Sequence, residues 1–151
     1  MIKSLLQILA LSFILNTGFA DSSYKIPYED LVHDHDHIHV FAFMKDGDVF
    51  GVDVTSIKEG NDITSVLLVD FFNSGPPQMG VGRIEINCKN QTLRMVDAAI
   101  QNMKLTLLAS EPINGKFKTP VKDSAEEPLM EYICQKKYLN KSKSSKGTTE
   151  V

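Results

Sequence analysis

His33-Asp34-His35-Asp36-His37-Ile38-His39 is the stretch whose residue types point most directly to chemistry. All four histidines of the chain fall in it, at every second position. In an extended segment, side chains two apart share a face and lie about 6.5–7 Å apart. Two imidazoles so placed, with a third ligand from a neighbouring element, suit Zn2+ or Cu2+. Asp34 and Asp36 would lie on the opposite face, and they can support the imidazoles only where the chain bends. A flexible run can instead wrap an ion, and short His-rich tracts are a compositional signal for metal. A lesser alternative is a haem contact through one histidine of the run. The competing reading is a solvated polar lead-in to the first strand.

Other chemistry is sparse. There is no Gly-x-Ser-x-Gly elbow, no phosphate-binding glycine loop and no His-Glu-x-x-His helix. Ser56 and Ser110 have no base at a recognisable spacing. Met79, Met95, Met103 and Met130 read as core filler rather than as a copper site. The expectation is therefore no catalytic residue and no enzyme. The basic run from Lys136 to Lys146 reads as a solvated terminus rather than a contact for acidic lipid or glycan. Asn90-Gln91-Thr92 and Asn140-Lys141-Ser142 match the glycosylation sequon, as chance matches if the source is bacterial.

Residues 1–20 read as an export signal. Lys3 supplies the positive start, Leu5 to Leu15 the short apolar run, and Gly18-Phe19-Ala20 the small residues before cleavage. The run is shorter than the ~20 residues of a membrane span, and no later segment is long and apolar enough. No cysteine follows the cleavage point, so a lipid anchor has no attachment residue. The expected location is periplasmic or secreted, without a lipid anchor. The leader holds one base and no acid, so its removal takes the formal charge from -3 to -4. That acidity argues against nucleic-acid binding.

Two cysteines, Cys88 and Cys134, in an exported chain read as one disulfide. A loop this long contributes about 3–4 kcal/mol on the chain-entropy model. The alternative is two free buried thiols.

These residues need elements to hold them. Asp21 to Asp36 reads as an extended polar arm, residues 37–139 as one domain, and residues 140–151 as a disordered basic tail. Val40–Met44 and Val49–Thr55 pattern as a hairpin around Lys45-Asp46-Gly47-Asp48, with Gly47 able to take positive φ. Ile63–Phe72 is apolar on both faces and should be a central strand covered on both sides. Asn73–Gly80, with two prolines and two glycines, reads as a loop. Val81–Asn87 and Thr92–Ile100 form a second hairpin, with Ile84, Ile86 and Cys88 inward and Leu93 and Met95 alternating after the turn. Met103–Ala109 is β-compatible, while Ala98–Leu108 can also be read as a helix. Ser124 and Glu127 have the spacing of a capping box opening a helix with Leu129, Met130, Ile133 and Cys134 on one stripe, ending near Tyr138.

Val52-Asp53-Val54-Thr55-Ser56-Ile57, then Glu85-Ile86-Asn87-Cys88-Lys89 before Thr92-Leu93-Arg94, then Ser124, Glu127, Leu129 and Ile133-Cys134, stand in the order of a known family. From Phe41 to Lys137 the chain resembles the surface-adhesin protein E family of Gram-negative bacteria. The resemblance implies an α+β fold: an antiparallel sheet of about six strands, with a C-terminal helix packed on one face and tied there by the disulfide. It implies a binding module for host extracellular-matrix or envelope proteins. The family's type member is implicated in matrix and haem binding and can dimerise. An exposed edge strand offers a route to a homodimer. The His33–His39 run is not part of the family pattern, nor do the matching residues form a catalytic motif.

Overall fold

The computed structural model describes residues 24–72 and 76–139. The proposed signal at 1–20, the tail at 140–151 and Asn73 to Gly75 lie outside the described residues.

Six strands form one antiparallel sheet in chain order: β1 (Ile38–Phe43), β2 (Val49–Glu59), β3 (Ile63–Phe71), β4 (Gln78–Asn87), β5 (Thr92–Asn102) and β6 (Leu107–Pro112). A helix, α1 (Glu126–Cys134), follows the sheet. The Cys88–Cys134 disulfide forms. This is the expected α+β architecture. No helix among the described residues is long and apolar enough to cross a membrane.

Strand alternation divides β3 between two cores. Val66 and Leu68 join the α1 side with Phe50, Val52, Ile84, Ile86, Leu93, Leu129 and Ile133. Leu67 and Val69 join the opposite side with Val32, Met79 and Val81. All four β3 residues are at most 1% exposed, so the strand is covered on both faces, as its continuous apolar run requires. Burying one such side chain is worth about 1.5–3 kcal/mol.

The second cover comes from the segment read as an extended polar arm. It is not extended throughout. A 3₁₀ turn at Tyr28–Asp30 and another at His35–His37 bend it, and Asp30 and Val32 are buried against the sheet. We call residues 24–32 the strap. Val32 is its fully buried apolar contact, with Ile26 and Leu31 half-buried beside it.

The local differences have physical causes. The β1–β2 turn places Gly47 at φ 92, with Met44 N–H donating to the Asp48 carbonyl at 2.8 Å. Strand β4 begins at Gln78, inside the expected loop. The segment 98–108 is not helical: β5 runs to Asn102, a turn follows with Leu105 at φ 65, and β6 starts at Leu107. The capping box is displaced by one residue. Ser124 Oγ accepts the Glu126 amide while donating to the Val121 carbonyl, and Glu127 Oε2 accepts from Asp123 N–H. Glu126 is buried instead, holding Lys118 Nζ at 2.8 Å and Val121 N–H. The continuous helix breaks at Cys134, a two-residue turn follows, and residues 137–139 are helical again, so helical backbone reaches Tyr138 as expected.

Two bulges set which side chains meet. In β2 the register jumps between Asp53 and Lys58. Ser56 fills the gap: its hydroxyl donates to the Asp53 carbonyl and accepts Leu67 N–H. In β5 the register shifts at Val96, so Arg83 pairs with Asp97 but Ile84 pairs with Met95. Without that extra residue, Asp97 would follow Met95 onto the α1 side. The bulged Val96 carbonyl accepts from Ile113 and Asn114 N–H.

Candidate functional site

The four histidines do not converge. His33 stacks on Tyr28 with ring centroids 3.7 Å apart, and its Nε2–H donates to the Tyr28 carbonyl. His35 donates to the Met103 carbonyl at 2.8 Å. His37 faces Asp34 at 3.4 Å, and the other Asp34 oxygen accepts Asp36 N–H. His39 lies on β1 and stacks on Tyr132 of α1 at 5.3 Å. Among the described residues no group of three His, Cys, Asp or Glu side chains is placed to hold a metal ion. The reason is local. The 3₁₀ turn at His35–His37 breaks the two-residue alternation, and His39 joins the α1 side while Val32 and Ile38 join the other. We therefore expect the folded chain to take up Zn2+ or Cu2+ no more tightly than a free peptide of residues 31–40. Calorimetric titration of both checks this; tight stoichiometric binding by the folded chain alone would contradict it.

The site that the fold does assemble lies under the strap. Arg83 of β4 is 4% exposed. Its Nε donates to Asp30 Oδ1 at 2.8 Å, its Nη2 to the Glu29 carbonyl at 2.6 Å, and its Nη1 to the Ser65 hydroxyl and the Ser56 carbonyl. The guanidinium thus fastens the strap to β2 and β3 at once. Its planar fork suits several fixed acceptors where a lysine would serve fewer. Asp97, opposite Arg83 in the ladder, accepts the Tyr24 hydroxyl at 3.1 Å. Four residues further along β5, Gln101 treats Val32 as a strand neighbour. Its Oε1 accepts Val32 N–H and its Nε2 donates to the Val32 carbonyl, both at 2.9 Å. A side-chain amide here completes backbone hydrogen bonds that no strand supplies.

The electrostatics are unbalanced. The Asp97 carboxyl is raised to about 7: burial contributes most and Asp30 adds to it, while the Tyr24 hydrogen bond and Arg83 pull against them. Burial beside Asp97 takes the Tyr24 phenol to about 12. Strongly perturbed groups gathered in one place mark functional sites more often than chance, although structural ion pairs do the same.

Sequence reasoning passed over this cluster. The available signal was a charge at an inward position: Arg83 between Val81 and Ile86, and Asp97 ahead of Ala98-Ala99-Ile100. The expected methionines divide. Met79, Met95 and Met130 are buried, Met103 exposed, so three of them fill core space.

No family, curated protein or solved structure matches the chain.

Proposed function

We propose that this chain is an exported, non-catalytic binding module of the surface-adhesin protein E kind, contacting a host extracellular-matrix or envelope protein. The supporting observation is architectural. The six-stranded sheet, the terminal helix and the Cys88–Cys134 tie agree with the fold that the resemblance implies. The contact surface in this reading is the β6 edge. Leu107 and Leu108 are 41% and 49% exposed there, and Met103 beside them is 42% exposed. Glu111 and Pro112 blunt the far end of this edge and Leu108 sits at a bulge of the β5–β6 ladder, so the contact falls on the first half of the strand. An extended segment of the partner would add to β6 through main-chain hydrogen bonds, with the two leucines giving apolar contact.

The test is binding of the purified chain to immobilised laminin and vitronectin, compared with Leu107→Lys/Leu108→Lys. Saturable binding that falls at least tenfold in the variant is expected. Wild-type binding unaffected by the substitution would remove β6 from the reading, and no binding by either would remove the matrix reading itself.

A further inference from the structure

The strap is held by a set of groups that is one positive charge short. Facing Asp97 are Tyr24 and Asp30 from the strap and Arg83 from β4. From β6 the residue opposite is Pro112, which carries no charge. From β2 and β3, Arg83 receives only the Ser56 carbonyl and the Ser65 hydroxyl. Two carboxylates therefore share one guanidinium in a place where Asp30, Arg83 and Asp97 are at most 7% exposed. Oδ1 of Asp97 is buried and meets no donor. The neighbouring acid is another carboxyl, Asp30. A hydrogen bond between the two requires that one of them keep its proton, and like charges held this close do not both ionise readily.

We propose that the strap is a latch closed by one proton held between Asp30 and Asp97, tight in acidic surroundings and loosened as that proton leaves. This goes beyond the binding reading and does not depend on it. What opens is defined by the fold. Val32 would lift from Leu67, Val69, Met79 and Val81, and Gln101 would lose both of its bonds to the Val32 backbone. The connector is built for such a movement: His33, Asp34, Asp36 and His37 are all exposed, and His35 is half-buried. The ordered seat and the solvated connector together give the strap a place to leave and a short tether.

The direction follows from linkage. In the closed form the Asp97 carboxyl titrates at about 7, and its ordinary value is 3.8. An acid whose bound-state value is raised favours the closed form fully below its ordinary value. That advantage is lost as the pH rises through the window from about 4 to about 7, by at most tenfold per pH unit, and levels off above it. The strap is thus loosest from neutral pH upward. The connector histidines are the other titratable groups on this path. His33 and His35 donate to carbonyls, and a protonated ring still donates.

The readout is hydrogen exchange of the Val32 amide in the folded chain, followed by NMR and corrected for the intrinsic rate. Between pH 5 and pH 8 its protection is expected to fall about 100-fold. In Asp97→Asn the side chain stays neutral and its amide can donate to Asp30, so protection should stay flat. A His33→Ala/His35→Ala/His37→Ala variant should keep the wild-type slope. The same slope in Asp97→Asn as in wild type would overturn the proposal, as would a slope that disappears with the histidines. If Asp97→Asn does not fold, the ¹³C titration of the wild-type Asp97 carboxyl decides. A midpoint near 7 supports the latch and a midpoint near 4 refutes it.

Discussion

Arg83→Ala is expected to destabilise the fold by about 3–5 kcal/mol, read as a lower denaturant midpoint with an unchanged slope. The loss is large because removing the guanidinium leaves its partners behind. Asp30 would keep a buried carboxylate without a counter-charge, and the Glu29 and Ser56 carbonyls and the Ser65 hydroxyl would each lose a donor. Breaking a buried ion pair from one side costs far more than the pair itself contributes. The comparison that makes this specific is Arg94→Ala. Arg94 and Glu85 also pair, at 2.6 Å, but their side chains are 39% and 27% exposed, so the expected loss is under about 1 kcal/mol. Equal losses at the two arginines would refute the assignment of Arg83 as the strap's fastening. A double variant, Arg83→Met with Asp30→Asn, should recover much of the loss, since neither buried charge remains.

The pH course of Arg83→Ala is also set. Arg83 holds the Asp97 carboxyl down, so its removal raises that group further. A folded-state value raised above the unfolded one gives stability that is complete at low pH and lost as pH climbs through the folded value. Wild type should level off above about 7, where Asp97 titrates. The variant should keep losing stability beyond that point and look least damaged in acid.

How far the sequence reached depends on the element. Strands β3, β4 and β5 were legible because each buries at least one alternate set of apolar residues: Ile84 and Ile86 in β4, Leu93 and Met95 in β5, and both sets in β3. Alternation is a property of the strand alone, so it survives without knowledge of neighbours. The reading failed where a residue's partner lay far away in the chain. Asp30 and Arg83 are separated by 53 positions and Val32 and Gln101 by 69. Nothing local marks a polar arm as a lid when its fastening groups are a carbonyl and an aspartate. The Val96 bulge was hidden for a related reason. It moves Asp97 to the face of Arg83, and an extra residue in a strand reads as an ordinary continuation until the ladder is seen. The histidine run is the opposite case. Its spacing is a strong local pattern, but Asp34 accepting the Asp36 amide nucleates a turn that sends the rings to different partners.

Replacing both Cys88 and Cys134 by alanine is expected to cost about 3–4 kcal/mol, lowering the melting temperature by on the order of 15 °C. The bridge joins positions 46 apart, so its loss restores a long stretch of chain freedom to the unfolded state. Its place in the fold gives the loss a location as well as a size. Cys88 follows the end of β4, and Cys134 is the last residue of α1. The intervening chain includes β5, β6 and a long irregular connection, so without the bridge α1 rests on side-chain contact alone. Leu129, Met130 and Ile133 are each at most 5% exposed against the sheet, and Tyr138 and Lys136 beyond the helix reach Glu59 of β2. Those contacts should keep α1 docked most of the time but no longer tie its opening to that of the sheet. Amides of residues 129–134 should then exchange well before those of β3 and β4, whereas in wild type the two groups should exchange together. A double variant that melts within 3 °C of wild type would mean that apolar packing, not the bridge, fixes the helix on the sheet.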